Sequence, residues 1–95
     1  MSFEVVLTTE SENFIKKCDK AIRNRILKSL RKLEDEPEIG KPLTSILTGL
    51  WSLRIGDYKA IYQIKNNELI VVVVRIGHRK TYIDNLAQME RSIFD

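Results

Sequence analysis

Cysteine, histidine and long apolar runs are nearly missing from this chain, and each shortage removes a class of function. The single cysteine, Cys18, cannot close an internal disulfide, and beside the single histidine, His78, it offers no metal-ligand spacing. No metal and no cofactor are therefore expected. No glycine-rich phosphate loop and no nucleophile motif occurs. The longest apolar run, Leu69 to Val74, is far short of the ~20 residues that span a bilayer, which argues against a membrane partner. The start, Met1-Ser2-Phe3-Glu4, lacks the basic and apolar regions of a secretory signal. Together with the lone thiol, that sets the expected location as cytoplasmic.

What remains is an ordinary globular composition, 43% hydrophobic and 31% charged over 95 residues, which fits one domain spanning 1–95. The net charge is only +3, but it is unevenly spread. Residues 1–40 carry eight cations and eight anions, whereas residues 41–83 carry seven cations against two anions. The positive field comes from the second half of the chain, the pattern expected where a polyanion is engaged.

Phe3 to Leu7 reads as a first strand. Thr9-Glu10-Ser11-Glu12 has the spacing of a capping box and predicts a helix start. Phe14, Ile15 and Cys18 form its apolar stripe, and Ile22, Ile26, Leu27, Leu30 and Leu33 continue at helical spacing to about Asp35. Asp19-Lys20 can recap the chain there, giving a helical hairpin, and Glu36-Pro37 ends it. Residues 38–49 read as a connection with room for one helical turn. From Trp51 the period is two: Trp51, Leu53 and Ile55 alternate with polar residues, Gly56-Asp57 turns the chain, and Tyr58, Ala60, Tyr62 and Ile64 alternate again. Asn66-Asn67 suits a second tight turn, because Asn tolerates positive φ. Leu69 to Ile76 is the third strand of this meander, and Asp84 to Phe94 reads as a terminal helix. The sum is an α+β two-layer sandwich of order β-α-α-β-β-β(-α), with the helical hairpin packed on an antiparallel meander.

Parity then suggests a site. With Tyr58, Ala60, Tyr62 and Ile64 beneath the helices, Lys59 faces away, and so does Arg54. For the third strand, Val72, Val74 and Ile76 inward leaves Val71, Val73 and Arg75 outward, and Arg79 too if extension persists. The alternative buries Arg75 unpaired under the helices. Arg54, Lys59, Arg75 and Arg79 are thus expected on one face with no acidic partner of the same parity. RNA is the leading polyanion. The same face should carry Ile61, Val71 and Val73, apolar residues that need a cover, either the terminal helix or a partner protein.

Gly56-Asp57-Tyr58-Lys59-Ala60-Ile61-Tyr62-Gln63-Ile64 and Val73-Val74-Arg75-Ile76-Gly77-His78-Arg79, in this order of elements, resemble the RelE branch of the RelE/ParE toxin superfamily. The resemblance runs from the first strand to about Tyr82. It implies a type II toxin that enters the ribosomal A site and cleaves mRNA without metal, held inactive by a RelB-like antitoxin and touching operator DNA only through it. By position, Arg79 matches the arginine that stabilises the scissile phosphate, Arg54 a basic position before the tight turn, and Lys59 a phosphate-contacting arginine. Tyr82 stands near the family's tyrosine. Arg75, Lys80 and His78 are the expected further RNA contacts.

Three departures stand out. Ser52 and Arg54 replace two lysines, Lys59 is a point charge where a planar fork is usual, and Tyr82 comes one residue early. They leave the general base open among Lys59, substrate and ribosomal groups. His78 has the chemistry of a base, but parity sets it opposite Arg79. The competing readings are a ParE-like DNA gyrase inhibitor without nuclease activity, and a catalytically weak remnant that only binds antitoxin and supports autorepression.

Overall fold

Two short polar side chains divide the helical pattern. Thr8, in extended conformation, accepts from the Ser11 amide and starts α1 (Thr9–Lys17), and Asp19 accepts from the Ile22 amide and starts α2 (Lys20–Asp35). The first cap is thus one residue earlier than the sequence spacing suggests. The Asp19 break is where it was expected. Arg23 of α2 reaches back to the carbonyls of Ile15, Lys16 and Cys18, so it closes the carbonyl end of α1 and is not a freely solvated cation. Ile15, Ile26, Leu30 and Leu33 are the buried stripe of the hairpin, with Phe14, Cys18, Ile22 and Leu27 packed at its margin.

The computed structural model describes residues 2–78. They form β1 (Glu4–Leu7), the two helices, β2 (Lys41–Pro42), β3 (Leu50–Ile55), β4 (Tyr58–Lys65) and β5 (Ile70–His78), in a five-stranded sheet of order β1-β5-β4-β3-β2. The expected terminal helix lies outside the described residues. The meander β3-β4-β5 is antiparallel as expected, but β1 pairs parallel to β5, from Glu4 opposite Ile70 to Leu7 opposite Val73, so the sheet is mixed. The connection contains two 3-10 turns, Pro37–Ile39 and Ser45–Leu47, and β2, a strand too short to show alternation. No helix among the described residues is long and apolar enough to cross a membrane.

The main departure from simple alternation is in β5. Ile61 pairs with Arg75 but Tyr62 pairs with Val73, so Val74 is an extra residue, a β-bulge. Upstream of it Val71 and Val73 face the helices, opposite Ile64 and Tyr62. Downstream, Ile76 faces them opposite Ala60. Val71 and Val73 are therefore core residues, not part of the outer face. The bulge resolves the choice that strict alternation forces, because it buries the odd-numbered valines and still leaves Arg75 outward.

Its backbone is held from α1. Thr8 Oγ1 lies 2.8 Å from the Val74 carbonyl, and the fully buried Ser11 hydroxyl donates to the Val73 carbonyl at 2.8 Å. Towards the β2–β3 edge of the same face, Tyr62, fully buried, donates its hydroxyl to Pro37 O at 2.7 Å and accepts from the Gly40 amide at 3.1 Å. Burial pushes the Tyr62 phenol upward, against a smaller opposing effect of the Gly40 bond. Gly40 has no room for more: a Cβ there would stand 2.5 Å from Tyr62 Oη and 2.6 Å from Ser52 O.

The turns differ in their fit to expectation. Gly56, at φ 59°, makes the tight connection that sets Ile55 opposite Tyr58. At the other turn the positive φ falls on Leu69 (54°), not on Asn66 or Asn67. Lys65 pairs with Ile70, so four residues bridge the strands and Leu69 ends the loop.

Thr8→Val keeps the side-chain shape but removes the cap and the Val74 contact. It is expected to cost about 1–2 kcal/mol, read as a lower urea midpoint at unchanged slope. An unchanged midpoint would show that the bulge does not depend on this hydroxyl. Gly40→Ala is expected to cost about 1–3 kcal/mol through overpacking against Tyr62, measured in the same way, and a Gly40→Ala protein as stable as the parent would refute the close packing.

Candidate functional site

The outer face of the meander is built by register. Arg54 stands opposite Lys59, and Lys59 opposite Gly77, in one row across β3, β4 and β5. Ser52, Ile61 and Arg75 form the adjacent row. Core residues set this arrangement: Ile55, Tyr58, Ala60 and Ile76 face the helices, which turns Arg54, Lys59 and Arg75 to the other side. The structure therefore brings three of the four expected cations together. Arg54 is exposed and Lys59 half-buried. Like charges set directly opposite one another are unfavourable in a sheet, and an anion shared between them reverses the sign of that interaction. Among the described residues a Cβ at Gly77 would meet nothing within 4 Å, although Gly77 itself is buried. Of the three apolar residues expected here only Ile61 belongs to this face, and it is fully buried.

Arg75 departs from expectation. Its guanidinium is 2.8 Å from Glu10 of α1, with Arg75 27% and Glu10 62% exposed. The acidic partner that parity within the sheet excluded arrives from the first turn of the helix. Nothing in the sequence marks this pair, because its members lie on different elements and far apart in the chain.

His78 lies elsewhere. It pairs with Tyr58 in register, and the two rings meet edge to face at 5.4 Å, while Tyr58 meets Phe14 of α1 at 5.9 Å. It thus shares the helix-side parity of Tyr58 and stands apart from Arg54 and Lys59. Arg79, Lys80 and Tyr82 lie outside the described residues. Trp51 stacks on Tyr62 at 6.3 Å and is a packing residue. Burial pushes the Cys18 thiol upward and its hydrogen goes to the Phe14 carbonyl, so it is no poised nucleophile.

A second surface feature is an open groove of about 310 Å³ between β1 and α2, with Val5, Leu7, Leu27 and Leu30 inside and Glu4, Arg31 and Glu34 at its rim. Among the described strands β1 is at the sheet edge, and Val6 on it is 37% exposed.

Comparison with known proteins agrees with this architecture. Residues 5–82 match the family model described as the ParE toxin of the type II toxin-antitoxin system parDE. Toxin RelG of Mycobacterium tuberculosis is 32% identical over 81 residues, covering 83% of this chain and 93% of RelG. The toxin-antitoxin complex RelBE2 of the same organism contains a chain that is 31% identical with a TM-score of 0.77, matched over 83% of this chain and 100% of its own length. The archaeal RelE-RelB complex of Pyrococcus horikoshii gives 25% identity and a TM-score of 0.71, over 83% of this chain and 97% of its own. Two helices on a mixed five-stranded sheet, a family match over most of the sequence and a relative of this similarity lead to one assignment: the chain belongs to the RelE/ParE superfamily of type II toxin-antitoxin toxins.

Proposed function

We propose that this toxin is a ribosome-dependent endoribonuclease that cuts mRNA in the A site and so stops translation in the cytoplasm. The observation that carries the reading is the Arg54–Lys59 pair, two cations in direct register on the sheet face opposite the helices. Such a pair is suited to holding one phosphodiester.

The chemistry needs no cofactor. The 2′-oxygen of one nucleotide attacks the adjacent phosphorus, its proton leaves to a base, the bond to the 5′-oxygen breaks, and that oxygen takes up a proton. A cyclic phosphate and a 5′-hydroxyl end result. In this reading Arg54 and Lys59 orient the phosphate. Arg79 neutralises the doubly charged phosphorane with paired donors, a contact of a kind worth roughly 3–4 kcal/mol. Tyr82 orients the 2′-hydroxyl or stacks on a base. Lys80 adds to the local positive field. The base is Lys59 or a group of the substrate or ribosome, since His78 has the parity of the helix side.

A RelB-like antitoxin is the proposed partner. The RelBE2 and Pyrococcus structures are toxin-antitoxin complexes, and the groove between β1 and α2 has the apolar floor and charged rim that an amphipathic helix fills. The second reading, a gyrase inhibitor, is favoured by the family model itself, which is that of ParE. It needs no phosphate-holding row.

Antitoxin-free protein on programmed ribosomes is expected to give A-site cuts, mapped by primer extension of the mRNA. Arg79→Ala should slow cutting by about two to three orders of magnitude. Arg54→Ala and Lys59→Ala should slow it by smaller factors, with thermal stability unchanged in all three. Intact mRNA beside inhibited DNA supercoiling by gyrase would replace this reading with the second.

A further inference from the structure

β1 ends with Leu7 opposite Val73, so among the described residues β5 runs on to His78 with no strand beside it on that edge, and α1 passes along the gap. The result is a cleft of about 420 Å³ between α1 and the end of β5. Ile76 and Gly77 lie at its strand side. Glu10, Asn13, Phe14 and Lys17 line it from the helix, with Arg75 and His78 from the strand. Arg75 belongs to this cleft and also to the outer face, since it stands in register with Ile61, one row from Lys59. Through Arg75 the cleft adjoins the cationic row in register.

We propose that this cleft is a subsite for a nucleotide of single-stranded RNA flanking the cleaved bond, and that Glu10 occupies the place of its phosphate in the free toxin. The inference rests on the endoribonuclease reading. Arg75 and Lys17 provide two cations against one carboxylate, so the cleft keeps a positive excess with Glu10 in place. The Glu10 carboxylate is 62% exposed, and ion pairs of this kind add little stability. A phosphate that accepts two parallel bonds from the same guanidinium displaces it readily. Phe14, in edge contact with Tyr58, offers an apolar wall for a base, and Asn13 offers both a donor and an acceptor to a base edge. Glu10 acts as a carboxylate that RNA must displace. It holds the Arg75 guanidinium at the cleft before substrate arrives.

The test is fluorescence anisotropy of a labelled single-stranded RNA hexanucleotide with the full chain at several salt concentrations. Glu10→Gln is expected to bind several-fold tighter than wild type. Glu12→Gln serves as the control: it also removes one negative charge from α1, but from a pair with Lys16 that lies outside the cleft, and it should change affinity less than twofold. Lys17→Ala should weaken binding about threefold and reduce the salt slope by roughly 0.7, the value for one lost phosphate contact on a single strand. Equal gains in Glu10→Gln and Glu12→Gln, or a Lys17→Ala protein with wild-type affinity and slope, overturn the subsite. If those results come while Arg54→Ala and Lys59→Ala still weaken binding, the endoribonuclease reading survives without it. A wild-type chain that does not bind the hexanucleotide overturns the subsite, whereas the endoribonuclease reading falls only if the same protein leaves mRNA intact on programmed ribosomes.

Discussion

Thr8 and Ser11 bind two carbonyls of β5 across the start of α1, and the register of the outer face follows from those bonds. A bulge leaves one residue outside the ladder, and a buried carbonyl without a donor costs roughly 1–3 kcal/mol. Here the helix entry supplies the donors. Because Val74 is accommodated in this way, Val71, Val73 and Ile76 all reach the core while Arg75 stays in the row of Ile61 and Gly77 comes opposite Lys59. Without the bulge, the strand would bury Arg75 or expose two core valines. The same hydroxyls thus start a helix, close an irregular strand and aim a cation.

Tyr62 plays the corresponding part on the other side of β4. Its hydroxyl joins Pro37 and Gly40, so the irregular segment after α2 is tied to the middle of the sheet before β2 pairs with β3. Each anchor centres on a fully buried polar side chain, Ser11 or Tyr62, and links a helix start or loop to a strand interior. The apolar core alone leaves these junctions free to slide, since Val, Ile and Leu contacts are not directional.

Much of this was legible in the sequence. Asp19 divides the helices because an aspartate after an apolar stripe is a cap, and Gly56 turns the meander because a tight hairpin needs positive φ. Lys59 and Arg54 were placed correctly because Tyr58, Ala60 and Ile55 fix the inward side. The valine run was not legible, since four identical residues have no alternation to read, and a bulge among them leaves no mark. The two residues of β2 are too few for any period. Leu69 at positive φ runs against residue preference and follows from loop length, because four residues must close the strands. The Arg75–Glu10 pair escaped because parity compares neighbours within a sheet, whereas Glu10 approaches from a helix around the edge. Arg79, Lys80 and Tyr82 rest on motif position, as they lie outside the described residues.

The site and the core are linked in one direction only. A one-residue slip of β3 against β4 would turn Ile55 outward and drive Arg54 under the helices, so the burial that stabilises the fold also holds the cationic row in register. The identity of the outward residues is not constrained in this way. Arg54 is exposed and outside the core cluster, and replacing it leaves the core intact. A superfamily built on this sheet can therefore keep its architecture while its members exchange the chemistry of one face, which is why similarity of fold assigns this chain to a family and only its outward residues argue for an activity. Lys59 illustrates the point. A lysine presents a point charge and sets no plane, whereas the Arg54 guanidinium opposite it in register is a planar fork, so the two outward residues differ in the geometry they could impose on a bound anion.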